Sequence, residues 1–131
     1  MASIDAGMLI LVGVENGDTE EDARWLAGKT AALRIFDDAE GVMNRSVCDV
    51  RGGIIAVSQF TLTASTRRGN RPGYIRAMHG AEAEALYEVY CCLLQEDSGI
   101  TVGRGIFGAD MDVALHNDGP VTIIIDSRLR E

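Results

Sequence analysis

"IIAVSQFTL", residues 54–62, begins with four apolar residues and then meets a polar break at Ser58 and Gln59. Its length and its branched side chains predict a buried β-strand. Strict alternation would put Ser58, Phe60 and Leu62 on one face and leave Gln59 and Thr61 solvated on the other. A second reading is open. If the strand ends at a pocket there, two hydroxyls, an amide and free backbone N–H groups could grip a carbonyl or an amine.

A strand of this kind needs partners, and the flanking sequence offers them. "MLILVGV" (8–14) is a strand-sized apolar run that stops at the turn "ENGD". "DTEEDARWLAGKTAALR" predicts a helix capped by Asp18 or Thr19, with Glu21 or Asp22 completing a capping box. Its acids sit in the first turn, where the macrodipole favours them. Ala23, Leu26, Thr30 and Leu33 form its inward stripe. "IFDDAEGVMN" reads as a strand end and a turn at 37–41. "SVCDV" reads as a short strand, and "RGG" (51–53) as the hairpin turn that joins it to 54–62. "AEAEALYEVYCCLLQED" predicts a second helix, with Leu86, Val89, Tyr90, Leu93 and Leu94 at helical spacing. "ITVGRGIF", "MDVALHN" and "VTIIIDS" read as strands, the last two separated by the turn "NDGP" (117–120). The expectation is one α/β domain over 1–131: a strand-rich mixed sheet, richest in strands at its C-terminal end, with two main helices.

Composition narrows the class. With 47% hydrophobic and 24% charged residues, 131 residues can bury a core without metal or disulfide. No apolar run reaches membrane-spanning length, and "MASIDAG" lacks the features of a secretory signal. Three cysteines, Cys48, Cys91 and Cys92, lack metal-ligand spacing; this predicts reduced thiols, a cytoplasmic setting and small core residues. Twenty acids against 12 basic residues give a net charge of −8, which disfavours extended binding along duplex DNA. Yet 63–76, "TASTRRGNRPGYIR", holds four arginines and no acid. Arg67, Arg68, Arg71 and Arg76 form either a merely solvated loop or a local patch for phosphate groups.

No histidine or cysteine cluster has metal-ligand spacing, and no glycine loop has the context of a phosphate cradle. No nucleophile elbow is present. His116 is read as a half-buried strand histidine rather than a base. Gly119–Pro120 is by default a turn, whose cis or trans state the local sequence leaves open.

Taken together, "LILVGV", "LRIFDDAEGVMNRSV", "VSQFTL", "RRGNRP", "FGADM" and "NDGPVT" resemble the D-aminoacyl-tRNA deacylases, from about Gly7 to Ser127. The resemblance implies a deacylase-like fold and hydrolysis of the ester joining a D-amino acid to the tRNA 3′ adenosine, without metal or cofactor. It implies a homodimer, with the "SQFTL" strand of one subunit facing a cis Gly-Pro turn of the other. Carried over, Ser58, Gln59, Phe60 and Thr61 line the pocket, and Gly119 and Pro120 exclude L-amino acids. Phe107 and Met111 stand near the adenosine, while Arg67, Arg68 and Arg71 serve acceptor-end phosphates. Thr61 is either a nucleophile or part of a positioning site in which the Phe60 and Thr61 N–H groups polarise the ester. The second is preferred, because the motif contains no titratable base. The family's usual opening strand and its arginine have no counterpart ahead of Met1, which implies a sheet edge that is open, repaired by another element or paired with another chain. "RPGY" also stands where "RPSF" is common. A catalytically weak relative, binding tRNA ends or partners as a dimer, is the alternative function.

Overall fold

The computed structural model describes residues 1–130. In chain order the elements are β1 (Gly7–Val12), α1 (Glu20–Ala32), β2 (Phe36–Asp37), β3 (Met43–Arg45), α2 (Val47–Val50), β4 (Gly53–Ser58), a 3₁₀ turn (Phe60–Thr63), α3 (Gly80–Ser98) and β5 (Val102–Arg104). The mixed α/β class holds. The main sheet is parallel, in the order β1–β4–β5, and β2 with β3 forms a small antiparallel ribbon. β1 and β5 lie at the two edges of the main sheet, with β4 between them.

In the ladder Met8 stands beside Ile54, Ile10 beside Ala56, and Ile54 beside Val102. Ile54 and Ala56 are fully buried under α3. The Tyr87 hydroxyl crosses from α3 to donate to the Ala56 carbonyl at 2.8 Å. α1 packs on α3, and the Thr30 and Tyr90 hydroxyls meet at 2.9 Å inside that contact. Burial pushes the Tyr90 hydroxyl up to about 12, against an ordinary value of 10.0. The observed inward stripe of α1 is Ala23, Ala27, Thr30 and Ala31; Leu26 and Leu33 are only partly buried. Thr19 and Asp22 form the expected capping box. The Thr19 N–H, donating at 2.8 Å, holds the Asp22 carboxyl below its ordinary range.

Several sequence expectations are corrected. "SVCDV" is not a strand: Ser46 and Asp49 cap each other's backbone and wind 47–50 into one helical turn. "RGG" is therefore no hairpin turn. Arg51 takes a left-handed φ of 51° at the end of α2, and β4 then runs parallel to β1. The strand in 54–62 stops at Ser58. "MDVALHN" and "VTIIIDS" form no strands, because no ladder partner lies beside them among the described residues. His116 is accordingly exposed and outside any strand. Of the thiols, Cys91 is fully buried but Cys92 is exposed.

Residues 126–130 are nevertheless anchored. They form a turn closed by Leu129 N–H to Asp126 C=O, at 3.1 Å. The Arg130 guanidinium lies 4.7 Å from the centre of the Trp25 ring on α1.

Candidate active site

Parallel strands deliver their carboxyl ends to one edge of a sheet, and clefts form there. Here β1 and β4 stay joined to that edge, where the Gln59 N–H donates to the Val12 carbonyl at 2.8 Å. Gln59 then leaves the extended path with φ −144° and ψ 84°. The Thr63 hydroxyl closes the following 3₁₀ turn by donating to the Phe60 carbonyl at 2.8 Å. The Leu62 and Ala64 N–H groups bond back to the Gln59 and Thr61 carbonyls, at 3.2 and 3.1 Å. The Phe60 and Thr61 N–H groups at the start of this turn have no acceptor among the described residues. The predicted alternation fails because the turn replaces the strand.

A cavity of about 350 Å³ opens at this edge. Its wall includes Ser58, Gln59, Phe60, His79, Phe107 and Met111, over an apolar floor of Val12, Val57 and Ala83. Phe60 is half exposed and packs edge-on to Tyr74, with ring centres 4.9 Å apart. Phe107 is held against Tyr87 at 5.8 Å. The Met111 thioether fills the space where a side chain at residue 105 would stand, which is why Gly105 suits this crossing. Thr61 is not part of the cavity wall; its hydroxyl accepts a hydrogen bond from the Gln59 side-chain amide. Cys91 is fully buried and lines no part of the cavity, and burial pushes its thiol up to about 11. No group of three or more metal-ligating side chains occurs among the described residues.

Gly119 and Pro120 lie outside this wall, exposed, on the extended C-terminal segment. Their peptide bond is cis. Asn117 closes the turn, accepting from Val121 N–H at 3.1 Å and donating to the Thr122 hydroxyl at 2.9 Å. The basic loop is pinned at its neck by paired hydrogen bonds between Ser65 and Gly73, at 2.8 and 2.9 Å. Arg67, Arg68 and Arg71 are exposed beyond that neck and pair with no acid among the described residues. Arg76 differs: it turns inward to the Thr63 and Ala64 carbonyls, at 3.2 and 3.3 Å.

The family model described as D-Tyr-tRNA(Tyr) deacylase matches residues 1–126. The chain belongs to the D-Tyr-tRNA(Tyr) deacylase family. A D-aminoacyl-tRNA deacylase of Akkermansia muciniphila is 56% identical over 132 residues, covering 98% of this chain and 86% of the relative. One of Flavobacterium johnsoniae is 55% identical over 130 residues, covering 99% and 87%. Among solved structures, the c-Myc DNA Unwinding Element Binding Protein superposes with a TM-score of 0.85 at 36% identity, covering 92% of this chain and 81% of that one. A probable eukaryotic D-amino acid tRNA deacylase shares the fold, with a TM-score of 0.67 at 17% identity over 79% and 76% of the two chains.

Within this deacylase fold, the structure brings together Ser58, Gln59, Phe60, Phe107 and Met111 from the expected set. Gly119, Pro120 and the loop arginines stand apart from them in the single chain. Sequence reasoning missed His79. It stands at the N-cap position of α3 without a side-chain capping hydrogen bond, its ring centre is 6.3 Å from that of Phe60, and it lines the cavity. The available signal was its position two residues ahead of the second predicted helix.

Proposed function

We propose that the chain hydrolyses the ester bond of D-aminoacyl-tRNA, releasing the D-amino acid and free tRNA, and so acts in chiral proofreading of translation. Family membership supports the reaction. The observation that carries the mechanism is the pair of unpartnered N–H groups, on Phe60 and Thr61, where β4 turns beside the cavity.

In this reading Ser58, Gln59 and Phe60 form the reacting wall, and Thr61 serves it from beside the cavity through its backbone N–H. The two N–H groups hold the ester carbonyl and the charge that develops on it. The substrate's own 2′-hydroxyl helps activate a water. Water oxygen bonds to the carbonyl carbon, the bond to the ribose 3′-oxygen breaks, and that oxygen leaves with a proton. Thr61 acts by position and not as a nucleophile. The group bonded to its hydroxyl is an amide donor, which withdraws no proton. Phe107 and Met111 hold the terminal adenosine.

The working unit is a homodimer in the cytoplasm. Gly119 and Pro120 enter the partner's cavity, where rigid main-chain carbonyls reject L-amino acids. Their exposure supports this, as does that of Val113, Leu115, Ile123 and Ile124 along the same segment. Arg67, Arg68 and Arg71 meet phosphates of the acceptor end.

Incubation with D-tyrosyl-tRNA and L-tyrosyl-tRNA tests the activity: rapid release of the D form alone is expected. Release of neither, with tRNA bound, would leave the catalytically weak relative as the better reading. Thr61→Val tests the mechanism. Most turnover is expected to survive, and its near-complete loss with binding intact would make Thr61 the nucleophile.

A further inference from the structure

The two segments that carry the proposed site meet at a carboxylate that lines no part of the cavity. Glu15 follows β1 and is side-chain-exposed by only 22%. A single carboxylate oxygen, Oε1, faces two guanidinium groups: Arg76 at 3.7 Å and Arg128 at 3.6 Å. The two arginines come from separate segments of the chain. Arg76 holds the Thr63 and Ala64 carbonyls, at the close of the turn bearing Phe60 and Thr61. Arg128 belongs to the terminal turn that ends the segment bearing Gly119 and Pro120.

The surroundings are built for this meeting. Arg128 also donates to the Asn16 carbonyl at 2.6 Å and to Asp18 at 2.9 Å. Asp18 in turn accepts from the Glu15 N–H at 2.8 Å. The Asn16 N–H donates to the Arg76 carbonyl at 2.8 Å, and its side-chain amide donates to Ile75 C=O at 3.1 Å. Between them Gly17 has φ +90°, and a side chain there would stand 3.2 Å from the Arg128 guanidinium. Isolated exposed ion pairs contribute little. Here several charges share one carboxylate and a fixed backbone turn, so removing the centre disturbs both arms.

We propose that Glu15 is a positioning residue: held between Arg76 and Arg128, it couples the turn at 60–64 to the C-terminal segment that carries Gly119–Pro120. Neither arginine reaches the cavity wall, so the coupling acts through backbone placement. The consequence for catalysis rests on the deacylase reading above; the coupling itself does not.

Hydrogen exchange tests the coupling without reference to activity. In Arg128→Gln, amide exchange at Leu129 rises with loss of the anchor, and exchange at Leu62 and Ala64 rises with it, by about tenfold. Exchange in α3 stays unchanged. Faster exchange confined to 126–130 overturns the proposal. Glu15→Gln accelerates both segments, whereas Glu21→Gln, which breaks only an exposed pair with Arg130, accelerates neither 60–64 nor its activity. With D- and L-tyrosyl-tRNA as substrates, Glu15→Gln lowers kcat for the D form by about tenfold relative to wild type, with little change in KM. It also narrows the ratio of D to L release. A loss that merely follows the folded fraction, with that ratio intact, overturns the catalytic consequence. Absence of wild-type release defeats the deacylase reading while leaving the exchange result to decide the coupling.

Discussion

Residues 7–104 and 105–125 obey different rules, although the sequence patterns of both are apolar. In the first region Leu94, Ile54 and Ala56 are fully buried, between helices and a parallel sheet. In the second, "VTIII" has strong β-propensity, yet Ile124 is 94% exposed and the segment has no ladder. Propensity describes what a residue tolerates; a strand also needs a hydrogen-bonding neighbour. β4 has one on each side, and 121–125 has none among the described residues.

Core truncation gives the largest expected contrast. Leu94→Ala should cost about 2–5 kcal/mol in urea unfolding, since it empties a fully buried site. Tyr87→Phe follows, at about 1–2 kcal/mol, because it strips a buried carbonyl of β4 of its donor. Asp22→Ala should cost about 1 kcal/mol at neutral pH through loss of the α1 capping box. Its effect is also pH-dependent. The folded-state value of Asp22 is lowered from 3.8, so its contribution is present above that pH and is lost as pH falls through the depressed value. The difference in melting temperature between wild type and Asp22→Ala should therefore narrow below about pH 3.8. The smallest effect belongs to the other region. Ile124→Ala should change stability by under about 0.5 kcal/mol at concentrations where the chain is monomeric. A cost there matching Leu94→Ala would erase the contrast between the two regions.

The legible parts of the fold were those set by local chemistry. The acids at Glu20, Glu21 and Asp22 and the apolar spacing around Tyr90 and Leu94 marked α1 and α3 well. The apolar run before Gly13 marked β1. The failures have physical causes. Val47 and Val50 favour strand, but the Ser46–Asp49 cap, three residues apart, outweighed them. Within 54–62 the polar break at Ser58 and Gln59 left two readings open, because local pattern does not separate continued alternation from a change of backbone path. In the site, Ser58 through Phe60 and the pair Phe107 and Met111 were reached through resemblance. His79 was not, because the bridge between Glu15 and Ala77 that folds it back to the cavity joins distant parts of the chain. The meeting of Glu15, Arg76 and Arg128 is likewise a product of topology.

Trp25 gives the anchored terminus a practical use. It is the chain's single tryptophan, with the Lys29 ammonium 5.5 Å and the Arg130 guanidinium 4.7 Å from its ring. A cation leaving an indole face alters its emission, so intrinsic fluorescence reports, without any added dye, whether Arg130 is seated on α1. The protein thus carries its own optical gauge of tail release, readable in real time during substrate turnover.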